Sequence, residues 1–149
     1  MPMSQQSPFH LALPVTDLEA ARQFYGGILG CPEGRSSERW VDFDFWGHQL
    51  VAHLVEAADM PRAATNPVDG EQVPAAHFGP VLPWDDFPSL VERLRANNVE
   101  FVIEPTRRFA DRRGEQQTLF VRDPSGNYLE FKTFRNIEML FATDGLDYP

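Results

Sequence analysis

The stretch DPSGNYLEF, Asp123 to Phe131, decides how the rest of the chain is read. Pro124 suits the second position of a type I turn and Gly126 the position that tolerates positive φ, so DPSGN closes a hairpin. The residues after it alternate. Leu129, Phe131 and Thr133 share one face of a strand, and Tyr128, Glu130 and Lys132 share the other. Glu130 thus lies between two core residues, where a carboxylate without a partner is costly. The only basic neighbour in sequence is Lys132.

Working outward, the same one-sided alternation returns in three other stretches. In FHLALPV, Phe9, Leu11, Leu13 and Val15 oppose His10, Ala12 and Pro14. In HQLVAHLV, Leu50, Ala52 and Leu54 oppose Gln49, Val51 and His53. In AAHFGPVL, Ala76, Phe78, Pro80 and Leu82 oppose His77, Gly79 and Val81. Each apolar face is expected to pack on helices. Each mixed face carries one metal-capable residue: His10, His53, His77 or Glu130.

The intervening segments complete a repeated order. After the first strand, Thr16 or Asp17 caps a helix with Leu18, Ala21, Tyr25, Ile28 and Leu29 at helical spacing, ended by Gly30 and Pro32. RWVDFDF and HQLVAHLV form a hairpin at Gly47, with His48 read as a turn residue and a short extra strand in EGRSS. In the second half, DDFPSLVERLRANN is a helix with Phe87, Leu90, Val91 and Leu94 on one face, followed by strands in VEFVI, QQTLFVRD and GNYLEFKTF. The order is βαβββ twice, an α+β fold. The expected layout is one domain over residues 8–134, with module one at about 8–56, a linker at 57–74 and module two at about 75–134. A tail, 135–149, follows, with Ile137, Leu140 and Phe141 at helical spacing, suited to cover an open end or a second copy.

Bulk properties narrow the function classes. The chain has 149 residues, a net charge of −9 and one cysteine, Cys31. This balance disfavours nucleic acid and anionic membranes as partners, and the lone cysteine offers neither a disulfide framework nor a CxxC site. No signal peptide is read in MPMSQQSPF, and no apolar run approaches the ~20 residues of a membrane span. A cytoplasmic protein is expected. Arg107, Arg108, Arg112 and Arg113 in PTRRFADRRGEQ are read first as a solvated surface loop, second as an anion-binding one. Imidazoles with a carboxylate suit a divalent transition metal, and two His with one carboxylate is the facial arrangement of non-haem iron(II) oxygenases.

The stretches FHLALPVTDLEAARQFYGGILGC, HFGPVL and DPSGNYLEF resemble the vicinal oxygen chelate superfamily, which includes glyoxalase I, extradiol dioxygenases, and fosfomycin- and bleomycin-resistance proteins. The resemblance covers about Phe9 to Phe134 and lies closest to small extradiol-dioxygenase-like members. It implies two βαβββ modules curling into a cup around a metal, with helices outside, in a homodimer. Carried over by position, His10, His77 and Glu130 match metal ligands. His53 falls where glyoxalase I has a further glutamate, so it is a fourth ligand or an acid/base group. Where extradiol enzymes carry an active-site tyrosine, this chain has Phe120, which is read as pointing away from the cup; Tyr128, Trp40 or His53 would supply the missing polar group. The implied activity is cleavage of a small catechol-like vicinal diol with Fe(II). Zn, Ni, Co or Mn would accompany the alternative, a glyoxalase- or epimerase-like reaction. A metal-free binding or resistance protein is the third reading.

Overall fold

The computed structural model describes residues 6–62, 64–68 and 70–143. Expectations reaching into residues 1–5 and 144–149 fall outside these. Contacts divide the chain into two compact units, Met1–Pro61 and Arg62–Pro149.

In the first unit, β1 (His10–Val15) leads into a helix, Leu18–Ala21 (α1). Asp17 rather than Thr16 caps it, its carboxylate accepting from the Ala20 amide at 3.0 Å. The helix continues as a π-helical segment, Arg22–Ile28, closed by the Leu29 amide on the Phe24 carbonyl. This wider turn accompanies the burial of two consecutive aromatics, Phe24 and Tyr25. Gly30 ends the segment at φ 75°. Three strands follow: β2 (Glu33–Ser36), β3 (Trp40–Phe45) and β4 (His48–Leu54). The sheet order is β1-β4-β3-β2, with β1 parallel to β4. Trp46 and Gly47 both have positive φ, as a two-residue hairpin turn requires, so His48 is the first residue of β4 rather than part of the turn. Tyr25 packs on Phe43 with centroids 5.5 Å apart, and Val41, Leu50 and Ala52 complete the buried face. Phe9, expected there, is 65% exposed. It precedes β1, and its backbone is held through Gln49 and His48 while its ring stays outside.

In the second unit, β7 (Val81–Leu82) precedes helix α2 (Asp86–Ala96) and the strands β8 (Phe101–Arg108), β9 (Gln116–Arg122) and β10 (Tyr128–Phe134). The order β7-β10-β9-β8, with β7 parallel to β10, repeats the first sheet's topology. Phe87, Leu90 and Leu94 of α2 are buried, as are Leu119, Val121, Leu129 and Phe131 of the sheet. The segment read as a long strand, AAHFGPVL, keeps only Val81–Leu82 as strand, although Phe78 bridges Leu129 in parallel. Gly79 explains the close approach: a Cβ there would lie 1.7 Å from the Glu130 carbonyl oxygen.

The stretch read as a linker carries secondary structure among its described residues. It contains a 3-10 turn, Ala57–Asp59, and a two-stranded ribbon, β5 (Thr65–Val68) with β6 (Glu71–Pro74). At the other end, the tail forms a 3-10 turn, Ile137–Leu140, that buries Met139 and leaves Phe141 exposed. No described helix is long and apolar enough to cross a membrane.

Candidate functional site

Glu130 is held by Thr118 and Lys132 and faces His77. Its Oε2 accepts the Thr118 hydroxyl at 2.8 Å, its Oε1 lies 3.2 Å from the Lys132 ammonium, and the same oxygen is 3.8 Å from His77 Nε2. These partners come from a shared face: Glu130 and Lys132 alternate on β10, and Thr118 lies opposite Lys132 on β9. Hydrogen bonds and neighbouring charge thus offset the cost of enclosing a carboxylate that is 15% exposed.

His77 is oriented by the backbone. Its Nδ1 sits 2.8 Å from the Pro74 carbonyl oxygen. A carbonyl only accepts, so Nδ1 carries the proton, and in the neutral ring Nε2 turns a lone pair toward Glu130. Metal-ligating histidines commonly have their second nitrogen held in this way by a carbonyl, carboxylate or water. The ring packs edge-on against Phe120, with centroids 5.0 Å apart. Phe120 is therefore not turned away from this face. It is the direct cross-strand partner of Glu130, and such partners share a face. Tyr128 lies on the same face opposite Arg122. Together His77, Glu130, Lys132, Phe78, Val81 and Leu140 line a cavity of about 250 Å³.

The first unit carries a second arrangement on the mixed face of its sheet. His10 stands opposite Gln49 on β4, and its Nδ1 is 2.7 Å from Gln49 Oε1. Gln49 Nε2 donates to Asp42 Oδ2 at 3.1 Å. Asp42 is buried at 7% exposure, with the Arg35 guanidinium 3.9 Å away. Arg35 also lies over the Trp40 ring, 5.9 Å from its centroid. His53 occupies the same face four residues along β4 from Gln49, beside Trp40 on β3 and Pro14 on β1, and is exposed. Among the described residues, no group of three His, Cys, Asp or Glu side chains is close enough together to hold a metal ion. The candidate donors instead lie as a His77–Glu130 pair in one unit and His10 and His53 on one face of the other.

The arginine-rich stretch is a strand up to Arg108 and a turn beyond it, where Arg112 and Arg113 are exposed. Arg107 belongs to β8, and with Arg135 it pairs with the buried Glu115, whose Oε2 also accepts the Asp111 amide. Burial pushes the Glu115 carboxyl up, but hydrogen bonds from Arg135, the Asp111 amide and Arg107 outweigh it and hold the group below its ordinary value. Arg135 stacks over Trp84 at 4.7 Å. Glu115 gives no local signal in sequence, because its partner Arg135 lies 20 residues away. The Gln49–Asp42 pair is equally silent in sequence, since the link exists only once β3 and β4 are in register.

Comparison with known proteins agrees with this architecture. A family model described as the glyoxalase/bleomycin resistance protein/dioxygenase superfamily matches residues 7–131. A glyoxalase/bleomycin resistance protein/dioxygenase from Alicyclobacillus acidocaldarius is 32% identical, with 93% of this chain and 100% of that one covered and a TM-score of 0.74. A glyoxalase/dioxygenase from Nostoc punctiforme (21% identity, 91% and 96% covered, TM-score 0.65) has a similar fold. So does the fosfomycin resistance protein FosX from Listeria monocytogenes (19%, 93% and 99%, TM-score 0.66). No curated protein matches the chain. With the repeated topology and the family match over most of its length, the chain belongs to the glyoxalase/bleomycin resistance protein/dioxygenase superfamily.

Proposed function

We propose that this member is a metal-dependent enzyme of extradiol-dioxygenase type, with His10, His77 and Glu130 as donors to a divalent metal, Fe(II) in the first place, and a small vicinal diol as substrate. A homodimer is part of the proposal. The supporting observation is the state of the two imidazoles. Each has its Nδ1 engaged by a neighbouring oxygen, so each neutral ring offers Nε2 as a donor. Two such nitrogens and one carboxylate suit iron(II), zinc or nickel chemically. Bound there, iron would supply the redox chemistry that directs dioxygen at the diol. The chain's own residues would do the rest. Thr118 and Lys132 fix the Glu130 carboxylate, Phe120 keeps water from one side of His77, and His53 holds or moves a proton, with Tyr128 as a second candidate for that role.

Two features favour a glyoxalase- or epimerase-like second reading. The face beside Glu130 presents Phe120 instead of a tyrosine, and the Lys132 ammonium is placed to balance charge on an enediolate. The acidic composition alone favours metal-free binding of a cationic compound. Anaerobic purification with metal analysis, followed by oxygen uptake on a panel of catechols, separates these. Iron with uptake supports the dioxygenase. Zinc or nickel without uptake moves the assignment to the isomerase, and absence of any metal refutes both enzymatic readings.

A further inference from the structure

Building on the reading of His10 as a metal donor, we infer that Asp42 is a positioning residue that sets the tautomer of His10 through Gln49. The inference follows from what each group is able to offer. An ionised carboxylate only accepts, so Gln49 must turn its amide nitrogen to Asp42, at 3.1 Å. The amide oxygen is then the atom 2.7 Å from His10 Nδ1, and an oxygen acceptor requires the proton to sit on Nδ1. His10 Nε2 is left with its lone pair. Free imidazole prefers the opposite tautomer, so the relay works against an intrinsic bias. Asp42 is buried enough to hold one rotamer, and the Arg35 guanidinium lies on its Oδ2 side. His77 reaches the same tautomer by a different device, a backbone carbonyl that no side-chain substitution removes. Only the His10 device is built from side chains, and Asp42 is its fixed end.

The substitution Asp42→Asn keeps shape and volume but lets residue 42 donate or accept. Gln49 can then turn over, and His10 samples both tautomers. The test is the ring ¹⁵N shifts of His10 in the metal-free chain, recorded about two pH units above the ordinary imidazole pKa of ~6.5. The wild-type ring should carry its proton on Nδ1, D42N should show a mixture, and Gln49→Met should do the same. In the Q49M background D42N should add nothing, because the relay is already cut. A wild-type ring protonated on Nε2, or a D42N ring unchanged from wild type, overturns the inference. Should D42N not fold, Q49M carries the test: an unchanged ring there also overturns it. Zn²⁺ titration is the companion measurement, with D42N expected to bind about 10–100-fold more weakly. Zn²⁺ affinity that is indifferent to His10→Ala would refute the metal reading, while the tautomer result is decided separately by the metal-free spectra.

Discussion

At the scale of single residues, the proposed chemistry rests on how two histidines and one glutamate are held. Glu130 depends on Thr118, whose hydroxyl is a neutral donor to its carboxylate. Thr118→Val keeps the shape and removes that bond, so it should lower stability by about 1 kcal/mol in denaturant unfolding. Thr118→Ser should restore most of the loss. Glu115 makes a different prediction. Its folded pKa lies below the ordinary value of 4.5, so its contribution is present above that value and is lost as pH falls through the lower folded one. Glu115→Gln should therefore flatten the acid limb of a stability–pH profile below about pH 4.5, leaving no residual dependence from this group. An acid limb as steep as wild type would show that the arginine clamp is not what ionises Glu115. The alternation around Glu130 was readable in sequence because one strand needs only its own parity. The face of Phe120 was not, because placing it requires the register across the DPSGN turn, which pairs Tyr128 with Arg122 and hence Glu130 with Phe120.

At the scale of elements, what could be read depended on burial. Strands and helices with one core face announced themselves, as in β10, β4 and α2, where Phe87, Leu90 and Leu94 recur at helical spacing. The β5–β6 ribbon did not, because β5 is exposed throughout and β6 is exposed except at its end, so no alternation is imposed. The π-helical segment was equally silent, since its extra residue per turn leaves the apolar content unchanged. Gly79 shows how one position couples an element to the site. Gly79→Ala would press a methyl into the Glu130 carbonyl and part β10 from the segment beside it. Amide exchange at Glu130, whose N–H is bonded to the Phe78 carbonyl at 2.8 Å, should accelerate by orders of magnitude. Unchanged protection would mean that the two backbones do not approach so closely. In the core, Leu94→Ala should cost roughly 2–5 kcal/mol, since the side chain is wholly buried under α2.

At the scale of the whole molecule, the repeated βαβββ order was legible from period and turn chemistry, and the structure adds that both sheets share one strand order. The reaction was not, because a superfamily fold hosts several chemistries and only the site distinguishes them. The central claim is that His10, His77 and Glu130 are donors to a single kind of metal site. The most direct measurement is the metal content of anaerobically purified wild type beside His10→Ala, His77→Ala and Glu130→Ala, with far-UV circular dichroism confirming that each remains folded. Stoichiometric metal in the wild type, lost or severely reduced in each variant with folding intact, is the result expected. Metal retained at wild-type stoichiometry in all three variants would contradict it.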